Sequence, residues 1–228
     1  MSDIVEAIEN CIGNNAVLKG DSVKQRISVW GTNQPMEALA IVRPKNTDEV
    51  SSVLKLCNEQ SQPIVPQGGM TGLVKAGMPN SSEIAFSLER MNSIIDVDFD
   101  TATMTVEAGV TLQEAQEAAD AHGLMLPLDL GARGSATIGG NLSTNAGGNR
   151  VIRYGMTREM VLGVEAVLAD GTILSSLNKV LKNNTGYDLK QLFIGGEGTL
   201  GIITKAVLRL RKKKKSENTA FVSVNDFN

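Results

Sequence analysis

Apolar positions in the first twelve residues recur at helical spacing, with Ile4, Ile8 and Cys11 or Ile12 on one face and Gly13 as the stop. A helix is predicted over 2–12, whereas 14–37 shows no clear period. The apolar run 39–43, closed by Pro44, reads as a strand. Asn46 with Glu49 three positions on then caps a helix whose inner face is Val50, Val53, Leu54 and Cys57. A second strand, 63–66, leads into the sequence PQGGMTGL. Three more strands are predicted near 83–89, 93–98 and 102–108. Thr111 and Glu114 form a capping box for a helix carrying Leu112, Ala115 and Ala119. Asp170-Gly171, between the apolar runs 161–169 and 172–174, signals a hairpin. In 183–210 a short helix and a glycine cluster precede a long apolar strand.

Between these elements lie three glycine-rich stretches, each following an apolar one. Residues 127–155 hold seven of the chain's 23 glycines, and no charged side chain occurs from 134 to 149. Glycine at that density costs folding entropy but lets bare main chain approach a ligand. Consecutive free N–H groups make an anion-binding concavity, to which Ser135, Thr137, Ser143 and Thr144 add hydroxyl donors. The stretch is expected to cradle a phosphate-bearing cofactor. PQGGMTGL (66–73) lacks both the Lys-Ser/Thr of a Walker loop and the Gly-x-Gly-x-x-Gly of a dinucleotide turn, yet its paired glycines with Thr71 give a phosphate-sized nest. Gly195, Gly196 and Gly198 around Glu197 form the third cluster. One ligand touched from three places accounts for all of them.

Charge and residue counts narrow the chemistry. A net charge of -3 over 228 residues argues against a bulk nucleic-acid binder, and the basic run 209–215 reads as a solvated strand end or linker. No apolar run is long enough for a membrane span, and the acidic, amphipathic start is unlike a secretory signal, so a cytoplasmic protein is expected. Cys11 and Cys57 have no metal-ligand spacing and are expected to be buried thiols. His122, the one histidine, sits before Gly123 at a helix end, so no metal set and no His-based triad is expected.

PQGGMTGL, GSATIGGNLSTNAGGNRVIRYG and NNTGYDLKQLFIGGEGTLGIIT, in that order, resemble the FAD-binding (PCMH-type) domain of the vanillyl-alcohol oxidase and p-cresol methylhydroxylase superfamily. Within it, the match is most similar to flavin-dependent D-2-hydroxyacid dehydrogenases acting on D-2-hydroxyglutarate, D-lactate or glycolate, and the stretch 184–195 points to the D-2-hydroxyglutarate side of that group. The resemblance covers roughly residues 38–210. It implies an α+β fold with two lobes, a small βαβ-like one and a larger antiparallel sheet flanked by helices, with FAD between them. The implied organisation is an N-terminal helical extension (1–37), the FAD domain (38–211, lobes about 38–108 and 109–211) and a linker (212–228) toward a substrate domain outside this sequence.

By position the resemblance gives Pro66, Gln67, Gly68, Gly69, Met70, Thr71, Gly72 and Leu73 to the pyrophosphate. Gly134, Ser135, Thr137, Ile138, Gly139, Gly140 and Asn141 would meet the pyrophosphate and ribityl chain, and Thr144, Asn145, Gly147 and Gly148 the flavin end. Glu197, Gly198, Gly201 and Ile202 would line the adenine side, and Pro127 joins the cofactor set. Relatives with covalent flavin often use a histidine in the first loop; Met70 stands here, which implies non-covalent FAD. The implied reaction is oxidation of a D-2-hydroxyacid to the 2-oxoacid, with hydride passing to the flavin while a base takes the hydroxyl proton. No catalytic residue is assigned in this chain, which is expected to bind FAD with little turnover alone. Alternatives are a flavin subunit completed by a partner chain or electron acceptor, a homo-oligomer, and a reductase like UDP-N-acetylenolpyruvoylglucosamine reductase. For Arg150, Arg153, Tyr154 and Asp129, loop anchoring and contact with flavin or substrate both remain open.

Overall fold

The computed structural model describes residues 3–27, 34–216, 218–224 and 226. Helix α1 (Asp3–Ile12) turns Ile4, Val5 and Ile8 inward, as the spacing predicts. Cys11, one position round from that face, is exposed, so the expected buried pair of thiols reduces to Cys57. A single 3-10 turn (Asn14–Ala16) leads to strand β1 (Val17–Leu18) and helix α2 (Asp21–Lys24). Strand β2 (Ala40–Val42) pairs antiparallel with β1. Strand β1 is thus an edge strand of the first lobe's sheet, and α1 packs Ile4, Val5 and Ile8 into that lobe's core.

Helix α3 (Thr47–Glu59) begins where Asn46 predicts, with the Asn46 carboxamide oxygen accepting the Glu49 amide at 2.8 Å. Such a cap is worth about 1 kcal/mol. Strands β3 (Ile64–Gln67) and β2 both run parallel to β4 (Ile84–Ser87), which lies between them, giving the order β1-β2-β4-β3. The β2-α3-β3 connection is the βαβ-like unit of the small lobe, and α1 and α3 bury Val50, Val53, Leu54 and Cys57 against Ile84 and Phe86.

The chain then builds a five-stranded antiparallel sheet. Strands β5 (Ile94–Asp98) and β6 (Thr103–Glu107) belong to it, so the small lobe's sheet ends at Ser87 and not near 108. Helix α4 (Leu112–Ala121) starts with the complete capping box of Thr111 and Glu114. His122 follows it, with Nδ1 2.8 Å from the Ala118 carbonyl, an ordinary helix-end role. Next come β7 (Leu124–Met125), short helices α5 (Ile138–Ser143) and α6 (Val151–Tyr154), β8 (Val161–Val167), β9 (Ile173–Ser176), α7 (Lys190–Phe193), β10 (Ile202–Arg209) and β11 (Arg211–Lys212). The second sheet is ordered β5-β6-β10-β8-β9, and β11 pairs with β7. The basic run is thus partly strand, and Lys213 ion-pairs with Asp120.

Three features lock the lobes together. Val167 and Ile202 of the large sheet complete the small lobe's core. Beside them Glu165, 7% exposed, accepts hydrogen bonds at Oε1 from Thr47 of α3 (2.6 Å) and Thr204 of β10 (2.9 Å), with Lys205 Nζ at 2.9 Å. Burial alone would raise the Glu165 carboxyl; the hydrogen bonds from Thr47, Lys205 and Thr204 outweigh it and hold the group below the ordinary glutamate value. Ser51 Oγ also donates to Gly171 O (2.5 Å) across the same seam.

Candidate functional site

A cavity of about 400 Å³ opens where the three glycine segments meet. Its walls are 66–72 and 74–77, parts of 130–146, and Glu197, Gly198, Ile202 and Ile203, with the edge residues Phe86, Leu88 and Ala108. The segments meet because several glycines touch one another's main chain. A methyl group at Gly69 would lie 1.7 Å from the Ser135 carbonyl oxygen, and one at Gly68 only 2.7 Å from Thr137 Oγ1. The third cluster closes the ring: Gly198 is in the left-handed region, φ +78°, with Pro66 Cγ 2.8 Å from where a Cβ would stand. Gly72 and Gly131 face open space instead. The glycine content thus serves first to let three loops pack edge to edge, and only in places to admit a ligand.

The central stretch is not the open loop that its composition suggests. Thr137 caps α5, its Oγ1 accepting the Gly140 amide, and the Ile138 and Gly139 amides donate to the Val110 and Ala108 carbonyls at 2.8 and 2.7 Å. The first amides of α5 are therefore consumed inside the protein. At the other end Gly195 N and Glu197 N donate to Leu142 O and Ser143 O, fastening the third segment to this helix. By contrast, the amides of Gly68 through Leu73 donate to no described residue. The row of free N–H donors is the loop after β3, an arrangement that suits an anion.

Backbone strain gathers here too. Met70, Lys75 and Glu197 line the cavity with φ of +53°, +62° and +49°, a region that side-chain-bearing residues seldom occupy. Asn141, 4% exposed on the cavity wall, has a buried Nδ2 with no hydrogen-bond partner in the protein. Buried polar atoms are nearly always satisfied, so an orphaned donor on a residue that lines a ligand-sized cavity is a candidate partner for a ligand acceptor.

Of the residues singled out from sequence, Pro66–Gly72, Thr137, Gly139, Gly140, Asn141, Thr144, Glu197, Gly198 and Ile202 line the cavity. Leu73 points to solvent, 75% exposed, and Ile138 is core at 1%. Gly134 is exposed near the end of the Gln113 side chain, while Gly147 against the Met156 side chain, Gly148 against Asp129 O and Gly201 against Val167 O pack the scaffold. Pro127 is buried outside the wall, and Asn145 is occupied in accepting the Arg158 amide. Ser135 faces a second cavity of about 570 Å³ behind the Gln67–Met70 loop, beside the pair of Glu89 with Arg26. Arg150 pairs with Asp129 at 3.7 Å and Arg153 stacks on its neighbour Tyr154, and neither arginine lines the cavity. Ser143, expected as a hydroxyl donor, lines the cavity as well, whereas Lys75, Leu130, Gly131, Ala132 and Ala146 line it and were not singled out. Lys75 had a signal in being the first charge after PQGGMTGLV; the small apolar ones had none.

Residues 38–176 match the family described as FAD binding domain. The chain belongs to that family. FAD is its cofactor, and the observed wall suits one: free main-chain donors for phosphate, an orphaned amide, and apolar surface for rings. The chain is 45% identical to the probable mitochondrial D-2-hydroxyglutarate dehydrogenase of Oryza sativa subsp. japonica, over 99% of this chain and 41% of that protein. It is 44% identical to the mitochondrial D-2-hydroxyglutarate dehydrogenase of Danio rerio, over 92% of this chain and 39% of that one. A D-2-hydroxyglutarate–pyruvate transhydrogenase of Saccharomyces cerevisiae is 38% identical over 99% of the chain and 46% of its own length. The chain thus spans less than half the length of these relatives. The fold is that of alkyldihydroxyacetonephosphate synthase, TM-score 0.82 at 23% identity over 95% of this chain and 41% of that structure. Among the described residues no helix is long and apolar enough to cross a membrane, and no cluster of His, Cys, Asp and Glu could hold a metal ion.

Proposed function

We propose that this chain is the cofactor-holding part of an FAD-dependent D-2-hydroxyacid dehydrogenase, with D-2-hydroxyglutarate as the first substrate to test. The observation that carries it is the row of free amides from Gly68 to Leu73 beside the orphaned Asn141 donor, in a chain 45% identical to a D-2-hydroxyglutarate dehydrogenase. The free amides bind the pyrophosphate, Asn141 donates to an acceptor of the cofactor, and the wall of Leu130, Ala132 and Ala146 keeps water from the rings. Met70 offers no nucleophile for a covalent link, so the cofactor is held non-covalently. FAD, when bound, takes up the hydride released from the carbon that bears the hydroxyl group.

Lys75 and Glu197 are the titratable side chains on the cavity wall, and His122 is engaged at its helix end. In this reading the proton acceptor and the substrate's carboxylate partners belong to the part of the relatives' length that this chain does not span. The complete protein, assayed with an artificial electron acceptor against D- and L-2-hydroxyglutarate and D-lactate, is expected to form 2-oxoglutarate fastest and only from the D isomer. Absence of turnover on every 2-hydroxyacid, together with NADPH oxidation, would replace this reading with the reductase one.

A further inference from the structure

Among the described residues, Lys75 carries the one positive charge on the cavity wall, and Glu197 the one negative charge. No carboxylate of a described residue is paired with the Lys75 ammonium. The side chain begins from a left-handed backbone position, φ +62°, three residues beyond Gly72, whose own missing Cβ would meet only open space. Glycine would adopt that backbone without strain, so nothing in the turn itself calls for lysine. A phosphoric anhydride linking two nucleotide halves brings two negative charges into a wall whose other phosphate donors are neutral amides.

We propose that Lys75 is the counter-charge for the cofactor's pyrophosphate, a role that rests on the reading of this cavity as an FAD site. Main-chain amides from Gly68 to Leu73 supply directional hydrogen bonds, and Lys75 supplies the salt-sensitive part of the affinity. An ammonium on a flexible stem at the rim serves this purpose as a point charge that needs no fixed geometry.

The test is a flavin-fluorescence titration with FAD, and separately with riboflavin, of the wild-type chain and of Lys75→Gly and Lys75→Arg, at low and at high salt. Lys75→Gly suits the left-handed backbone, and equal or higher melting temperature without ligand shows that it folds. The expected result is a loss of about tenfold in FAD affinity for Lys75→Gly at low salt, a typical loss for a hydrogen bond to a charged group. The gap should narrow at about 1 M salt, where charges are screened within about 3 Å, and Lys75→Arg should keep most of the affinity. Riboflavin, which lacks phosphate, should bind both proteins alike. Equal FAD affinity for wild type and Lys75→Gly, or an equal loss for FAD and riboflavin, overturns the inference while leaving the FAD site standing. Failure of the wild type to bind FAD at all overturns the site itself, and the role of Lys75 with it.

Discussion

Replacing Asn141 by leucine gives opposite signs in the free and the FAD-bound protein. The Nδ2 of Asn141 is buried without a partner, which costs about 1–3 kcal/mol relative to a satisfied or absent donor. Leucine has nearly the same branched shape and no donor, so it removes that cost from the ligand-free protein. In the complex the same change deletes one hydrogen bond to the cofactor, worth about 0.5–1.5 kcal/mol, or roughly two- to tenfold in affinity. For a chain of this size each kcal/mol moves the melting temperature by about 2–4 °C. Thermal unfolding with and without saturating FAD should therefore show Asn141→Leu melting at or above wild type when free, with an FAD-induced rise smaller by roughly 1–6 °C. A lower melting temperature in the free state combined with an undiminished FAD-induced rise would refute the idea that this amide waits for a ligand acceptor.

Other substitutions probe how the cavity is assembled. Gly69→Ala puts a methyl group against the Ser135 carbonyl oxygen and should cost about 1–3 kcal/mol in denaturant unfolding together with FAD affinity, because the first two walls cannot close. Glu165→Ala strands Lys205, Thr47 and Thr204 at the seam between lobes and should cost about 2–4 kcal/mol, discounted from a fully buried pair because Lys205 is partly exposed. The Glu165 carboxyl titrates lower in the folded chain than the ordinary 4.5, so its contribution is complete above about pH 4.5 and lost as pH falls through the folded value; Glu165→Gln should flatten that acid limb in a series of urea melts. Burial pushes the Cys57 thiol up to about 11 while Cys11 is exposed, so a thiol-reactive dye should titrate Cys11 alone in the native protein and both after denaturation.

The elements that were legible in sequence are those specified by neighbours. The Asn46 and Thr111 caps, Ile4 and Ile8 on the inner face of α1 and the hairpin at Asp170-Gly171 are decided within a few residues, and the structure has them where they were expected. Helix α5 was hidden because Gly139, Gly140 and Asn141 have poor helix propensity and the helix is held by tertiary bonds to Val110 and Ala108. The membership of β5 and β6 in the larger sheet depends on pairing with β10, about a hundred residues away, which no local pattern records. At the site, the paired glycines of the first loop were readable as bare main chain, and they line the cavity. The packing role of Gly147, Gly148 and Gly201 was not, since a glycine against main chain and a glycine against ligand look the same in a sequence. Cys11 was misplaced for a simple reason: it lies at the edge of an apolar stripe, where one position of rotation separates core from solvent.

The central claim is that three converging glycine segments hold one FAD without a covalent bond. It is tested most directly by incubating the purified chain with FAD, removing free cofactor by gel filtration, and recording the visible spectrum before and after acid precipitation. The account predicts a flavin spectrum that travels with the protein at one FAD per chain and is released entirely into the acid supernatant. A colourless protein fraction, or flavin that stays with the precipitate, would contradict it.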